Sequence, residues 1–303
     1  MRRNLSKLFK KLTNSLGLDI TINRVSTDAK HTKVMFVHIP KCGGISIDRA
    51  LRQALAKPNE AKIRRKPMLL SSLYHFEGNL DSIAGQSEFS EFHTKNVQDI
   101  LVYHLNLNWN YVSGHTPINQ KLLAHYSNNY QFVTLLRNPV ERFISNYIFN
   151  KISNDANFML PAKGTCKLDK ASIWQEADEI INSTRGWHLA HTMSLFVTGR
   201  YPKDEQDAAN MQQEVLNNLK QFAVVGFLDD MSNFEKQLSD LVSSPINIKQ
   251  HNKTSDFKSE EERFVQSCLK EYFAQEEVLN TLQSICKTEL ETFHKAKELF
   301  TKT

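Results

Sequence analysis

Apolar segments of strand length recur along the chain, and segments with helical periodicity follow them. The first, at residues 34–39, is almost entirely apolar, which is typical of a central parallel strand buried on both faces. Further strands are predicted at residues 110–115, 130–137 and 222–230. Strands that alternate with helices favour an α/β fold, in which helices flank a mostly parallel sheet.

The helices are predicted from apolar positions that share one stripe and from residues that favour helix ends. After the strand at 130–137, Asn138 is a good N-cap, Pro139 fits the first helical position and Glu141 completes a capping box. The buried stripe of this helix is expected to contain Val140, Phe143, Ile144, Tyr147 and Ile148, with Arg142 and Asn146 on the opposite face. Ser259 with Glu262 begins a helical C-terminal stretch.

The predicted organisation is a single domain at residues 31–303 behind a basic amphipathic leader at residues 1–30. Two polar segments, at about 57–105 and 152–220, are interpreted as helical insertions. In the leader, apolar side chains share one helical stripe among lysines and arginines, as in helices that lie on anionic lipid. The first 20 residues are thus a candidate membrane-surface segment, and a helix that packs on its own domain is the alternative.

Composition and charge narrow the class of protein. The chain has 303 residues, of which 40% are hydrophobic, and a formal net charge of +5. This charge suits an anionic ligand but not a dedicated nucleic-acid binder. The four cysteines are far apart, and no apolar run has the length of a transmembrane helix. The sequence therefore predicts no disulfide framework, zinc site or membrane span, and a cytoplasmic location is expected.

The segment VMFVHIPKCGGISI (34–47) leads from the first strand into a helix through Lys41 and two glycines. Gly43 and Gly44 free main-chain N–H groups at the helix N-terminus, where an anion such as phosphate or phosphosulfate is favoured. A plain tight turn is the alternative interpretation. Lys41, His115 and Arg137 each fall at or just beyond the carboxyl end of a strand, so we expect them to converge on one crevice.

Three chemistries compete for this loop. A Walker A loop needs its lysine after the glycines, followed by Ser or Thr, but Lys41 precedes them. A cysteine phosphatase would use Cys42 as a thiolate, but the spacing from Cys42 to Arg49 is too long for its phosphate cradle, so Cys42 is expected to fill space. Sulfuryl transfer is the third chemistry.

Three motifs carry a specific resemblance to sulfotransferases that use 3′-phosphoadenosine 5′-phosphosulfate (PAPS). FVHIPKCGGIS resembles their 5′-phosphosulfate loop, PKxGxTS. LLRNPVERFISNY resembles their 3′-phosphate element, in which Arg137 is followed by Ser145, and YVSGHTPI is similar to a Gly-His segment of the carbohydrate O-sulfotransferase branch, sulfotransferase family 2. One departure is Ile45, which stands where threonine is usual, so Ser46 and the main chain are expected to take over its role.

The resemblance implies a P-loop-like α/β fold and a set of site residues. The implied donor-binding residues are Lys41, Cys42, Gly43, Gly44, Ile45, Ser46, Arg137 and Ser145. It further implies that Lys41 stabilises the leaving phosphate, that His115 is the general base, that the product is 3′-phosphoadenosine 5′-phosphate (PAP), and that no metal is needed.

The resemblance implies a sugar hydroxyl as acceptor, on a glycan or glycolipid and not on nucleic acid. Members of this family in the Golgi carry an N-terminal membrane anchor, and this chain begins at Met1 without one, which favours a cytoplasmic enzyme. If the leader binds lipid, the enzyme is expected at the inner membrane face. The basic run at 62–66, the pair Trp174 and Trp187, and the pair His188 and His191 are candidates for acceptor contacts. Two alternatives remain open: a nucleotide-binding protein without catalysis, and a P-loop-like kinase.

Overall fold

The computed structural model describes residues 32–57, 60–152, 169–248 and 259–301. At its centre is a four-stranded sheet in the order β2-β1-β3-β4, in which every pair of neighbours runs parallel. The strands are β1 (Val34–Val37), β2 (Tyr111–Gly114), β3 (Gln131–Leu136) and β4 (Val224–Phe227). The predicted α/β fold with a mostly parallel sheet is confirmed.

The register of the strands brings their carboxyl ends to one edge of the sheet. Val37 at the end of β1 is paired with Gly114 of β2 and with Thr134 of β3. Leu136 at the end of β3 is paired with Phe227 of β4. The residues that follow these strands are consequently neighbours, although they are far apart in sequence.

Helices cover both faces of the sheet. Between the first two strands lie α1 (Gly44–Leu55), α2 (Arg65–His75) and α3 (Ile83–Asn106). Then follow α4 (Gln120–Tyr126), α5 (Pro139–Ile152), α6 (Lys170–Ile181), α7 (Thr184–Ala190), α8 (Thr192–Thr198) and α9 (Glu205–Leu219). The last are α10 (Met231–Val242), α11 (Glu260–Phe273), α12 (Glu276–Ile285) and α13 (Lys287–Thr301). The predicted helical C-terminal stretch is confirmed, and it begins with the predicted capping box of Ser259 and Glu262.

The strand residues alternate between two apolar cores, one on each face of the sheet. Val34 and Phe36 point to a core that α1 and α10 cover. Met35 and Val37 point to the opposite core, which includes side chains of α3, α4, α8, α9 and α13. A third cluster lies among α5, α6, α7, α11 and α12, away from the sheet. The sheet is therefore fixed on both faces, and its carboxyl edge is a rigid platform.

One expectation about the helices is wrong. The face of α5 that includes Arg142 and Asn146 was predicted to oppose the buried stripe, yet both residues are buried and Arg142 donates a hydrogen bond to the carbonyl of Leu189. In the segment at 152–220, the described residues form mainly helices, and α6 to α9 contribute many apolar side chains to the cores. Helices packed on several sides bury more than one stripe, which a two-face pattern cannot represent.

Several expectations fall on residues outside the described ranges. These are the basic leader, with its candidate membrane segment, and Cys166. The other three cysteines, Cys42, Cys268 and Cys286, are buried free thiols. Among the described helices, none combines the length and the apolar character that crossing a bilayer requires.

Candidate active site

A cavity of about 690 Å³ lies at the carboxyl edge of the sheet. All four strands lead to it: Lys41 follows β1, His115 follows β2, Arg137 follows β3 and Leu228 follows β4. The predicted site residues that line it are Lys41, Gly43, Gly44, Ile45, His115, Arg137 and Ser145. The two that do not line it are Cys42 and Ser46, both buried.

The turn between β1 and α1, residues 40–46, is called the anion loop here. Lys41 and Gly43 both have left-handed backbone, with φ of 65° and 76°. Gly43 is the N-cap of α1, and among the described residues no side chain caps this helix and no acidic residue stands in its first turn. A Cβ on Gly44 would lie 2.1 Å from the imidazole of His38, so only glycine fits there. The loop thus presents main-chain donors and a helix N-terminus to the cavity.

The ammonium group of Lys41 is held at the mouth of this loop. Its Nζ lies 4.1 Å from the centre of the Phe149 ring, over the face of that ring. Burial, and then the nearby charge of Arg137, lowers the pKa of Lys41 to about 8. Lys41 is therefore still mostly protonated at neutral pH. An anion bound between Lys41 and Arg137 would raise the pKa of Lys41 again, because its negative charge offsets the effects of burial and of the arginine.

Cys42 has the environment of a packing residue. Its side chain is 2% exposed, and burial raises the pKa of the thiol to about 11. A protonated, enclosed thiol is a poor nucleophile, which disfavours the chemistry of a cysteine phosphatase. The sequence-based interpretation of Cys42 as a filler agrees with this placement.

Arg137 links the anion loop to the start of α5. Its Nη1 donates to the carbonyl oxygen of Lys41 over 3.2 Å, and its Nε pairs with the carboxylate of Glu141 at 3.3 Å. Asn138 caps α5 as predicted, since its Oδ1 accepts from the main-chain N–H groups of Val140 (3.0 Å) and Glu141 (3.2 Å). In the expected capping box, the Glu141 carboxylate would accept from the main-chain N–H of Asn138. That carboxylate pairs with Arg137 instead. Ser145 lines the cavity two turns along the same helix.

His115 has the tautomer that a general base needs. Its Nδ1 lies 2.8 Å from the carbonyl oxygen of His38. Because a carbonyl can only accept, Nδ1 carries the proton and Nε2 is the nitrogen that can take one up. Burial, and then the charge of Arg65, lowers the pKa of His115 to about 4. The imidazole is consequently neutral at physiological pH.

Ile45 stands where threonine is usual in the loop, and its side chain has no hydroxyl that could donate to an anion. Ile45 is 47% exposed and its apolar side chain lines the cavity. Ser46, which is expected to replace the missing threonine hydroxyl, is buried and is not among the residues that line the cavity. The N–H groups of the anion loop are therefore the donors that remain for an anion at this point.

Four basic or imidazole side chains line the cavity on the β2 side: Arg65 of α2, His93 of α3, and Arg185 and His188 of α7. The sequence marks Arg65 and His188 as candidate acceptor contacts, but it gives no sign of His93 and Arg185. Arg185 donates to Ser90 over 2.5 Å. None of the four stands in a local motif, so only the packing of α2, α3 and α7 could reveal them together.

The two candidate tryptophans do not line the cavity. The indole N–H of Trp174 donates to the carbonyl of Cys268 (3.0 Å), and that of Trp187 donates to the carbonyl of Pro202 (2.7 Å). The ring of His191 packs against that of Trp187, with ring centres 3.9 Å apart and planes tilted by 40°, and it is buried. These three side chains pack the helical part of the protein.

The sequence profile of the sulfotransferase family matches residues 24–296. The chain belongs to the sulfotransferase family. A comparison with individually curated proteins found no match. All the residues that line the cavity of this sulfotransferase, from His38 to Leu228, fall within the matched range. Among the described residues of this sulfotransferase, no group of three His, Cys, Asp or Glu side chains is arranged to hold a metal ion.

Proposed function

We propose that this sulfotransferase moves a sulfuryl group from PAPS to a hydroxyl of a carbohydrate acceptor. The observation that carries the proposal is the convergence of Lys41, Arg137 and His115, from three neighbouring strands, on one cavity. Two of these side chains are cations suited to the ends of an anionic donor. The third is a neutral imidazole suited to activating the acceptor.

The residues of the cavity fit an adenosine donor with two phosphate groups. The anion loop and Lys41 would bind the 5′-phosphosulfate, since the loop offers main-chain donors without a competing acidic side chain in the first turn of α1. Arg137 would bind the 3′-phosphate with its planar fork, and the Ser145 hydroxyl would add a second donor. Leu228 and Phe149 supply apolar surface between the two ends.

PAPS supplies the sulfuryl group on an activated phosphosulfate bond. In the transfer step, Nε2 of His115 accepts the proton of the acceptor hydroxyl while the acceptor oxygen bonds to sulfur. The bond between sulfur and the bridging oxygen breaks, and that oxygen keeps the electron pair and leaves as part of PAP. The Lys41 ammonium and the N–H groups of the anion loop stabilise the negative charge that develops there. The proposal requires no metal.

The acceptor is proposed to be a sugar because YVSGHTPI resembles the Gly-His segment of the carbohydrate branch. The β2 side of the cavity, where the acceptor would enter beside His115, has basic and imidazole side chains from α2, α3 and α7. These groups offer hydrogen bonds to hydroxyl and acidic groups of a glycan or glycolipid.

The test combines ligand-dependent stability with radiolabelled transfer. We expect PAP, and not ATP, to raise the melting temperature, because a ligand stabilises the fold in proportion to its excess over the dissociation constant. Labelled sulfate should pass from PAPS to members of a panel of sugars, and His115→Gln should lose this transfer while it keeps stabilisation by PAP. His125→Gln, at an exposed position outside the cavity, is the matched control. Stabilisation by ATP alone would favour the kinase alternative and contradict the proposal.

A further inference from the structure

His38 lies between the anion loop and His115, and its imidazole contacts both. Its ring centre is 4.2 Å from that of His115, with the two planes tilted by 38°. On the loop side, the same ring fills the space next to Gly44, where an added Cβ would lie 2.1 Å from the Cδ2 and Nε2 atoms. The imidazole of His38 is therefore the packing link between the loop and the proposed base.

The main chain of His38 fixes His115 from a second direction. The N–H of His38 donates to the carbonyl of Gly114 over 3.3 Å, which continues the pairing of β1 with β2 beyond the strands. The carbonyl of His38 then accepts from Nδ1 of His115 at 2.8 Å. One residue thus contacts the imidazole of His115 twice, through a hydrogen bond to Nδ1 and through a tilted ring packed against it.

The ring of His38 has little freedom to move. Its other neighbour is Phe36, with ring centres 5.4 Å apart and planes only 20° from parallel. The side chain is 9% exposed, and that exposed part lines the cavity. A ring enclosed by Phe36, Gly44 and His115 transmits a displacement of the loop to the base, because packed interiors offer few voids to absorb it.

Among the described residues, three charged groups act on these two imidazoles. They are Asp48 of α1, Lys62 before α2, and Arg65 of α2. Lys62 and Asp48 pair with each other at 2.5 Å, so Arg65 is the charge that acts on His115 most strongly. Removing the ring of His38 would rehydrate His115 without changing any of these charges.

We propose that His38 is a positioning residue, whose ring keeps His115 aligned with the anion loop so that base and donor share one geometry. This role rests on the proposed function, because it has meaning only if His115 accepts the acceptor proton. It assigns to a histidine inside the strand-to-loop segment a task that the motif resemblance does not assign.

The experiment compares His38→Ala, which removes the ring, with His38→Phe, which keeps a flat ring of similar size. We expect His38→Ala to lower kcat at least about tenfold with the KM for PAPS changed less than about threefold, since a small misplacement of a catalytic group costs one to two orders of magnitude. His38→Phe should retain kcat within about fivefold. The matched control is His104→Ala, because His104 also packs on an aromatic ring, that of Trp109 at 4.9 Å, but lies outside the cavity.

A second readout separates positioning from a loss of packing. The acidic limb of kcat/KM should move upward in His38→Ala, towards the ordinary value for histidine, because His115 gains water. In urea unfolding, Gly44→Ala should destabilise the wild type and cost little in the His38→Ala background, where space for the Cβ exists. This unfolding cycle tests the contact without any assay of activity.

Distinct outcomes overturn the role and the proposed function. A His38→Ala protein with unchanged kcat and acidic limb, or a His38→Phe protein as slow as His38→Ala, overturns the positioning role alone. Additive costs of Gly44→Ala and His38→Ala also contradict it. A wild type that neither is stabilised by PAP nor transfers sulfate overturns the proposed function and this role with it.

Discussion

Replacing Arg137 by glutamine tests how the donor is held. Arg137 has two described partners, the carbonyl of Lys41 at 3.2 Å and the carboxylate of Glu141 at 3.3 Å, and its side chain is 23% exposed. The proposed third partner is the 3′-phosphate of the donor. PAP carries this phosphate and AMP lacks it. A comparison of the two ligands therefore separates the contact of Arg137 with the 3′-phosphate from its contact with the Lys41 carbonyl.

The structure gives a different expectation for each role. Loss of the bond to the Lys41 carbonyl disturbs the anion loop and should weaken PAP and AMP equally, by about 1 kcal/mol or roughly fivefold. Loss of a charge-assisted fork on the 3′-phosphate affects PAP alone, by about 2–3 kcal/mol, which is roughly 30- to 140-fold. The preference for PAP over AMP should therefore fall by the second factor only.

Isothermal titration calorimetry with PAP and AMP measures this preference directly. Ser145→Ala should reduce it by only about fivefold, because one neutral hydroxyl is lost. Arg200→Gln is the matched control, since Arg200 pairs with Asp207 at 2.6 Å outside the cavity. If Arg137→Gln weakens both ligands by the same factor, Arg137 acts only through the Lys41 carbonyl and its assignment to the 3′-phosphate is wrong.

Four further predictions follow from individual groups. The pH profile of kcat/KM should have an acidic limb near pH 4, where His115 gains a proton and stops being a base, and an alkaline limb near pH 8, where Lys41 loses its charge. An acidic limb near the ordinary histidine value would contradict the argument that burial lowers the pKa of His115. Lys41→Met should lower kcat by about 10²- to 10³-fold in single-turnover assays, with a smaller effect on PAP affinity, and equal losses would refute a role in the transition state. Asp48→Asn should reduce the free energy of unfolding in urea by about 1–2 kcal/mol, because the buried carboxylate accepts from Ser113 and Tyr111 and pairs with the half-exposed ammonium of Lys62, and an unchanged midpoint would show that these contacts are unimportant. If the leader binds lipid, deleting the first 20 residues should abolish co-sedimentation with anionic liposomes. A shortened protein that sediments as the full chain does would contradict the proposal of a lipid-binding leader.

The carboxyl-edge residues of the site could be predicted because their signals are local. Lys41, His115 and Arg137 each follow a segment that reads as a buried strand, and parallel strands end at one edge. The cap by Asn138 was equally readable, since its cause lies within three residues. The anion loop needed only its two glycines and the helix after it.

The long helix α3 could not be read from apolar periodicity. Along its buried face, short hydroxyl side chains take positions where apolar ones would be expected, among them Ser87, Ser90 and Thr94. Each donates to the carbonyl four residues earlier, at 2.8–3.0 Å, so these groups are satisfied within the helix and can be buried. The apolar pattern consequently predicts a helical insertion at about 57–105 but not the single 24-residue helix within it.

The polar residues that line the cavity could not be predicted from the sequence pattern for a related reason. A helix face turned to an internal cavity carries polar residues just as a face turned to bulk water does, so Asn146 of α5 was assigned to the outside. Arg65 and Arg185 belong to helices that meet only in the tertiary structure. A pattern of apolar and polar positions shows which residues face apolar surroundings. It does not show whether a polar residue faces bulk solvent or an internal cavity.

The left-handed backbone of Lys41 sets a limit for anyone who engineers this protein. A residue with a side chain is disfavoured at a φ of 65° by roughly 1–2 kcal/mol, and here the side chain also carries a partly dehydrated charge. A screen that selects only for heat resistance would thus reward the replacement of this lysine, by glycine above all. Under the proposed function, thermal stability and turnover place opposite demands on this position, so substitutions in the loop that raise stability are expected to lower activity.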